Sequence, residues 1–466
     1  MFYQSLFDRP ADRPVRACLL GSGEFGTSFL FQAQDVPHLE VRAVCTRTVA
    51  RAVAAFADAG IADARVRVCE TAEEAKTAYG DGLCVVTDGF DKLVGLPLDV
   101  LVESSGAPET GADAAEKALA AGMHVIMVSK ETDSVIGPLM ARKAREKGLV
   151  YTTGDGDQPS MLIGLVSWAR ALGLNVVGAG KASEYDFVYD AEQKAVVCAG
   201  QGRTIPVPEL AADWRLGDRA VDAILQLRSA ILSSLTMRTV ADLCEMTIVA
   251  NATGLLPDRP TFHAPVVRIP ELPDVFCPRT DGGIFDATGR IDIFNCLRRD
   301  DEASMAGGEF IIVECRDKKS WKVLEAKGHP VSRNGRYAAI YLPQHLLGVE
   351  VGTSVLAAAI LGHSTGGNVS RPICDLQGRA VRDLEKGFRL EMGGHHHTIE
   401  GVEGFIGRAA PVAPGMPLPF YLFSQLTLIR DVPAGRPICF EDVEIPSDSV
   451  LLRLRREQDR IFGLAS

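Results

Sequence analysis

The stretch CLLGSGEFGTSF, residues 18–29, ends a short apolar run and opens a cluster of glycines. Its glycines match G-x-G-x-x-G, a pattern that lets a dinucleotide pyrophosphate approach a helix N-terminus when it lies between a strand and a helix. VRACLL precedes the glycines and a helical segment follows them, so we predict a phosphate-binding turn rather than a plain tight turn. The turn comprises Gly21, Gly23, Glu24, Phe25 and Gly26.

Strand and helix patterns alternate from this turn to about residue 130. The runs VRACLL, LEVRAVCT, LCVVT, DVLVES and HVIMVSK read as strands, and the Ala-rich DAAEKALAAGM reads as a crossover helix. This order predicts an α/β fold with a doubly wound parallel sheet, a Rossmann domain. Ser104, Ser105 and Gly106 follow one strand at the sheet edge where such folds bind ligands, so we assign them to the cofactor site.

The residues after the second strand favour NADP over NAD. An NAD site usually has an acid roughly 20 residues past the glycines, which binds the ribose hydroxyls. This chain has Thr46, Arg47 and Thr48 there instead. A guanidinium pairs with a phosphate and no carboxylate repels it, so we predict that Arg47 binds the 2′-phosphate of NADP(H). A solvated surface arginine is the alternative.

Length and pattern predict three domains, because 466 residues exceed what one hydrophobic core usually serves. We place the Rossmann domain at residues 1–153, an α+β domain for substrate, catalysis and dimerisation at 154–362, and a β-rich domain at 363–466. The middle domain includes a predicted long helical region over residues 218–251.

The β-rich domain contains an internal repeat. AVRDLEKGFRL from Ala380 and LIRDVPAGRPI from Leu428 share a strand, an Arg-Asp pair and a glycine turn. Gly387 and Gly435 stand where such a turn needs a positive φ. We expect the two copies to pack against each other, because that hides an exposed sheet edge.

Composition excludes several classes of protein. The net charge of −11 is spread over interspersed acids and bases, which argues against a nucleic-acid partner. No apolar run is long enough to span a bilayer, and the N-terminus lacks the form of a signal peptide, so we expect a cytoplasmic protein without a membrane partner. The eleven scattered cysteines predict buried, reduced thiols rather than disulfides or zinc ligands.

Charged residues at predicted strand ends are candidates for catalysis. Lys130 ends a strand at the sheet edge, and Lys181 ends another, so both could face one cavity. Asp155 and Asp157 lie on a strand-to-helix loop and could bind a divalent cation through oxygen ligands. The alternatives are a lysine that merely caps a strand end, and Asp157 as a helix cap.

Two further groups have a structural alternative. Asp242 and Glu245 are three residues apart and share a helix face, where paired acids could bind a metal or exchange protons, although a solvated face is the expectation that we favour. The run His395–His397 could belong to a loop over the active site. At most two of its rings could converge on a metal, and no partner ligands stand at zinc-site spacing.

Several stretches together resemble known oxidoreductases. VLVESSGAPETGADAAEKALAAGMHVIMVSKE resembles the homoserine dehydrogenase type of NAD(P)-binding domain, and RDVPAGRPICFEDVEI resembles an SAF-type β-clip domain. With GDGDQPSM, IVANATGL and RNGRYAAIYLPQHLLGVEVG, they resemble the deoxyxylulose phosphate reductoisomerase-like oxidoreductases over most of the chain.

This resemblance implies NADPH-dependent reduction of a small polar, phosphorylated carbonyl compound by a homodimer or higher homo-oligomer with Mg²⁺ or Mn²⁺. Asp155, Asp157 and Glu245 would hold the metal or exchange protons, while Lys130 and Lys181 hold the anionic substrate. A dehydrogenase of another hydroxy acid or polyol phosphate, and an inactive NADP-binding sensor, are the alternatives.

One departure from the resemblance concerns a lysine. The relatives place a lysine shortly before the position of Glu245, whereas SSLTMRTVADLCEM offers only Arg238. Because an arginine exchanges no proton at neutral pH, another group must take that role if the lysine carries a proton.

Overall fold

Three β-sheets organise the chain, which the computed structural model describes over residues 2–6, 13–208, 210, 214–367 and 369–464. The first sheet has seven parallel strands in the order β3-β4-β2-β1-β5-β6-β7, which confirms the predicted Rossmann sheet. Its strands are β1 (Val15–Leu20), β2 (Leu39–Cys45), β3 (Val66–Val68), β4 (Cys84–Thr87), β5 (Val100–Glu103), β6 (His124–Met127) and β7 (Tyr151–Thr153). Its helices are α1 (Glu24–Gln32), α2 (Val49–Asp58), α3 (Ala72–Gly80), α4 (Pro108–Ala120) and α5 (Lys130–Glu146).

Both faces of this sheet are buried. Along β1, Ala17 and Leu19 join one apolar cluster, while Cys18 and Leu20 join another on the opposite face. A strand covered on both sides needs a continuous apolar run, and VRACLL is one. The strand order reverses between β1 and β5, so the loops that follow these two strands border the crevice in which such sheets bind ligands.

The second sheet is mixed and has nine strands. Its main path runs β11-β10-β9-β14-β8-β15-β16, and β12 and β13 both pair with β14. Its strands are β8 (Val176–Ala182), β9 (Phe187–Asp190), β10 (Ala195–Cys198), β11 (Arg203–Pro206), β12 (Leu256–Pro257), β13 (Val266–Val267), β14 (Arg290–Arg298), β15 (Glu309–Glu314) and β16 (Tyr337–Leu342). Its helices are α6 (Gln158–Ala171), α7 (Val221–Ile231), α8 (Val240–Thr253), α9 (Leu272–Val275) and α10 (Lys318–Ala326). Helix α11 (Val351–Leu356), which a π-helical turn, Ala357–Leu361, extends, returns to the apolar cluster of the first sheet.

The third sheet is small and antiparallel, in the order β17-β20-β19-β18. It consists of β17 (Cys374–Ala380), β18 (Met392–Gly393), β19 (Thr398–Ile399) and β20 (Val402–Arg408), with helices α12 (Phe420–Phe423) and α13 (Val450–Ile461). The two copies of the repeat pair as predicted, because Leu384 and Val432 exchange backbone hydrogen bonds of 3.0 and 2.9 Å. Gly387 and Gly435 have φ values of 91° and 83°.

Two sequence predictions of secondary structure are wrong. The long helical region over 218–251 is two helices, α7 and α8, and Thr239 begins the second through a capping box with Asp242. Lys130 does not end a strand, because β6 stops at Met127 and Lys130 is the first residue of α5. All eleven cysteines are buried and free, as predicted. None of the described helices is both long and apolar enough to cross a bilayer.

Helix α5 continues through a proline. Pro138 lacks the backbone N–H that a helix interior needs. The Gln458 side chain, from α13, bridges this region: it accepts a hydrogen bond from the Leu139 N–H at 3.0 Å and donates one to the Val135 carbonyl at 3.0 Å. Helix α13 therefore holds α5 in place, and with it the lysine at the start of α5.

Candidate active site

The glycine turn after β1 is packed tightly on one side and open on the other. A Cβ on Gly21 would lie 2.5 Å from the Ser104 carbonyl oxygen, and one on Gly26 would lie 2.4 Å from the Gly21 carbonyl oxygen. A Cβ on Gly23 would meet no atom within 4 Å. Gly23 precedes α1 and no described side chain caps this helix. The first backbone N–H groups of α1 therefore point into free space, as a pyrophosphate site requires. Glu24 and Phe25 form the first turn of α1.

The end of β2 offers two exposed arginines. Thr46 is buried and its Oγ1 lies 3.0 Å from Ser22 Oγ, which ties this loop to the glycine turn. Arg47 is exposed, and Arg51 is exposed one turn later in α2. Within the described part of the chain, neither guanidinium has an acidic partner. Both are therefore available to an anionic group. The sequence pattern singles out only Arg47, because the position of Arg51 depends on where α2 begins.

The end of β5 borders the same crevice. Ser104 Oγ donates to the Leu20 carbonyl at 3.1 Å, and the Gly106 N–H donates to Ser129 Oγ at 2.8 Å. These bonds join the ends of three neighbouring strands, β1, β5 and β6. Glu103 is buried below them; its Oε1 accepts the Ser105 N–H at 2.9 Å, and burial raises the pKa of this carboxyl to about 7.

One carboxylate joins the two predicted lysines. Glu245, on α8, accepts a hydrogen bond from Lys130 through Oε1 and from Lys181 through Oε2. Lys181 Nζ also lies 2.9 Å from Asp242 Oδ1 and donates to Gln158 Oε1. Lys181 is only 3% exposed, whereas the Lys130 side chain is 24% exposed. Of the two lysines, Lys130 is therefore the one whose side chain is partly open at the sheet edge.

The opposite charges in this cluster keep each other ionised despite their burial. Burial alone would raise the pKa of Glu245, but Lys130 and Lys181 outweigh it and lower that pKa to about 2. Burial alone would lower the pKa of Lys130, yet Glu245 and Asp157 raise it well above its ordinary value. The same balance, with Asp242 and Glu245 as partners, raises the pKa of Lys181. Both lysines are therefore cations at neutral pH.

The expectation of a solvated face for Asp242 and Glu245 is wrong. Both side chains are buried, because α8 packs against α5 and α6, against β14 of the second sheet, and against β17 and β20 of the third sheet. Asp242 caps its own helix by accepting the Thr239 N–H at 2.8 Å. Two lysines reach Glu245 from other elements, Lys130 from α5 and Lys181 from β8, while Arg238 pairs with Glu403 at 3.0 Å.

The two aspartates proposed for a metal face different groups. Asp155 Oδ1 accepts a hydrogen bond from Ser160 Oγ at 2.7 Å. Asp157 caps α6 and lies in the field of Lys130 and Glu245. Across the described ranges, no three His, Cys, Asp or Glu side chains are grouped so that they could hold a metal ion. A nearby ammonium group also repels a cation, so these residues do not fit a divalent metal.

Two functional candidates were missed by the sequence. Glu309 begins β15 and pairs in register with Lys181, and its side chain is fully buried. His345 follows β16, and its Nδ1 lies 3.8 Å from Glu309 Oε1. His345 lies in the quoted stretch RNGRYAAIYLPQHLLGVEVG, but nothing there marks it as a site residue, and only the pairing of β15 with β8 brings Glu309 to the cluster.

The histidine run crosses from the third sheet toward the active site. His397 Nδ1 lies 2.7 Å from Tyr421 Oη, and its Nε2 lies 3.4 Å from Glu131 Oε1, next to Lys130. Burial lowers the pKa of His397 to about 4. His395 contacts Glu184 instead, so the three rings do not converge.

Family models match two parts of the chain. Residues 21–150 match the NAD-binding domain of homoserine dehydrogenase, and residues 156–351 match the catalytic domain described as oxidoreductase DRL. The first range contains the glycine turn and Lys130, and the second contains Lys181, Glu245 and Glu309. The chain is therefore of the class of NAD(P)-dependent oxidoreductases. More particularly, it joins a segment similar to the homoserine dehydrogenase cofactor domain to a segment similar to the DRL catalytic domain.

Solved structures match less of the chain, and a search of curated proteins finds no match. Biliverdin reductase from Synechocystis sp. PCC 6803 has 17% identity over 38% of this chain and 47% of its own, with a TM-score of 0.23. DOX-P reductoisomerase has 16% identity, 36% and 46% coverage and a TM-score of 0.27. Myo-inositol dehydrogenase from Lactobacillus casei has 16% identity over 38% of this chain and 47% of its own, with a TM-score of 0.27. The chain thus spans about half the length of these proteins, and no substrate is transferred from them.

Proposed function

We propose that the protein uses NADPH to reduce the carbonyl group of a small polar compound, with Lys130 as the proton donor. The observation that carries this proposal is the position of Lys130, a charged lysine with a partly exposed side chain at the start of α5. It follows β6, the strand beside β5, whose loop borders the cofactor crevice. The free guanidinium of Arg47 supports NADPH as the cofactor, because it suits the additional phosphate.

The residues of the cluster divide the work. The nicotinamide, when bound, supplies a hydride to the carbonyl carbon. Lys130 donates a hydrogen bond to the carbonyl oxygen and transfers a proton as negative charge develops there. Glu245 orients Lys130, and the buried Lys181 keeps Glu245 ionised, so the carboxylate does not retain the proton. The exposed part of Lys130 lets solvent restore its proton after each turnover.

The proposal stops at carbonyl reduction. A rearrangement of the reductoisomerase type would need a metal to polarise a hydroxyketone, and Asp155 and Asp157 do not fit one. The lysines also do not form a free anion site, because Glu245 and Asp242 occupy Lys181 from two sides. A phosphorylated substrate and an inactive sensor stay predictions that this cluster does not favour. The SAF-type nature of the third sheet stays a prediction on which the cluster has no bearing.

Replacement of Lys130 tests the function. We expect Lys130→Met to lower the kcat/KM of NADPH-dependent reduction by about 10²–10⁴-fold, the usual contribution of a general acid, with NADPH affinity unchanged. The measurement is the loss of NADPH absorbance with a panel of small aldehydes, ketones and hydroxyketones, beside a calorimetric titration with NADPH.

Lys143→Met is the matched control, because Lys143 lies on the same helix but pairs with Glu457 outside the cluster. It should keep both activity and affinity. Full activity in Lys130→Met would contradict the proposal, as would a wild-type protein that binds NADPH but oxidises it with no carbonyl compound.

A further inference from the structure

The third sheet brings one histidine next to the proton donor. Strands β18 and β19 are joined by a turn over residues 394–397, in which the exposed fraction of the side chain falls from 75% at His395 to 15% at His397. His397 has a φ of 54°, a left-handed conformation that is uncommon for residues other than glycine. Such a conformation costs free energy and recurs where a side chain is held in place for function.

Tyr421 fixes the orientation of this histidine. Its Oη, from helix α12, lies 2.7 Å from His397 Nδ1, and the two rings meet edge to face with their centroids 5.8 Å apart. Burial lowers the pKa of His397 to about 4, so the ring is neutral at neutral pH and carries a single N–H. When the Tyr421 hydroxyl donates to Nδ1, that single proton is on Nε2.

Nε2 of His397 faces Glu131, the residue that follows Lys130 in α5. It lies 3.4 Å from Glu131 Oε1, and Glu131 is buried. Burial raises the pKa of Glu131, while the nearby ammonium group of Lys130 opposes this shift. Glu131 and Glu245 are therefore two carboxyl groups within the field of one lysine. A donor at His397 Nε2 gives Glu131 its own partner, so that Lys130 stays on Glu245.

The first turn of α5 lacks the usual support at its start. The hydroxyl of Ser129, at the cap position, accepts the Gly106 N–H instead, and no side chain in the described part of the chain caps this helix. The Thr132 and Asp133 N–H groups donate to the Ser129 carbonyl at 3.0 and 3.1 Å. The turn that carries Lys130 therefore depends on contacts from outside the helix, and His397 provides one.

We propose that His397 is a positioning residue for Lys130: it holds Glu131 and thereby fixes the first turn of α5, with the ammonium group on Glu245. This inference rests on the proposed function and adds to it a residue from the third sheet. The family models end at residue 351, before that sheet begins at Cys374. His397 acts through Glu131, and the third sheet thereby becomes a part of the active site.

Three variants of the full-length protein test this role by NADPH-dependent carbonyl reduction. His397→Asn keeps the left-handed turn, which asparagine adopts readily, but its side chain does not reach Glu131. We expect its kcat to fall about tenfold, the effect of one lost hydrogen bond, with the KM for NADPH unchanged. His397→Gln places an amide N–H near the position of Nε2 and should restore most of the rate. His395→Asn, in the same turn, is the matched control and should keep it.

A double-mutant cycle separates positioning from a role in the fold. In Lys130→Met, the further change His397→Asn should leave the residual rate unchanged, because a residue that acts through Lys130 then has nothing to position. An equal fall in rate with and without Lys130 would show that His397 serves the fold or the cofactor, and would overturn the inference.

Hydrogen exchange provides a measurement that needs no turnover. In a peptide that covers the first turn of α5, the N–H groups bound to the Ser129 carbonyl should exchange about tenfold faster in His397→Asn than in the wild type. His395→Asn and His397→Gln should exchange as the wild type does. Unchanged exchange in His397→Asn would overturn the inference.

The two proposals fail in different ways. If Lys130→Met lowers the rate and His397→Asn does not, the reductase stands and the positioning role is wrong. If the wild type reduces no carbonyl compound, yet the first turn of α5 exchanges faster in His397→Asn alone, the reductase is wrong and the third sheet still positions this turn. If there is neither turnover nor faster exchange, both proposals are wrong.

Discussion

At the scale of single residues, the active site depends on two lysines that meet at one buried carboxylate. Lys130 and Lys181 can be singled out from the sequence by their place at an element end, and Glu245 by its spacing of three residues from Asp242. Their convergence on one carboxylate cannot, because it depends on α8 packing across two sheets. For the same reason the sequence favours a solvated face for Glu245, and the structure instead buries it between two cations.

Substitutions can separate the glycine that leaves room for the cofactor, Gly23, from the glycine that the fold needs, Gly26. We expect Gly23→Val to leave thermal stability nearly unchanged, because Gly23 has an ordinary φ of −76° and its Cβ would meet no atom. The added side chain fills the space in front of α1, so NADPH affinity measured by calorimetry should fall below detection.

Gly26→Ala is the comparison for this variant. Its Cβ would collide with the Gly21 carbonyl, so this substitution should lower the unfolding temperature. Retained NADPH affinity in Gly23→Val would exclude the phosphate site at this turn.

At the scale of elements, α5 shows that a proline can mislead a prediction of where a helix begins. A proline usually stands in the first turn of a helix, so Pro138 suggests a start there. The helix in fact begins eight residues earlier in sequence, at Lys130, and tolerates Pro138 because Gln458 reaches in from α13. Such support comes from a residue more than 300 positions away, and no local pattern reveals it.

Gln458→Ala tests this support. The substitution leaves the Leu139 N–H and the Val135 carbonyl without their side-chain partner in a buried place, so we expect a loss of about 2–4 kcal/mol in the free energy of unfolding. Denaturant titration measures it. The control is Glu457→Ala, whose surface ion pair with Lys143 should contribute less than about 1 kcal/mol. Equal effects of the two substitutions would contradict the role of Gln458.

At the scale of the whole molecule, the alternation of strands and helices was enough to predict the first sheet, since both its faces are covered and its strands are continuously apolar. The repeat likewise predicted the pairing in the third sheet. The nine-stranded sheet could not be ordered from sequence, because its neighbours are far apart along the chain: β14 pairs with β8, and β15 with β8 from the other side. The domain bounds and the homodimer stay predictions.

The whole account depends on a dinucleotide at the junction of β1, β2 and β5, and one titration tests it most directly. The purified protein is titrated calorimetrically with NADPH and with NADH, and the titrations are repeated with Arg47→Ala. The account predicts that the wild type binds NADPH more tightly than NADH and that Arg47→Ala abolishes most of this difference, because the exposed guanidinium has no other partner in the described structure. Failure of the wild type to bind either nucleotide would contradict the account.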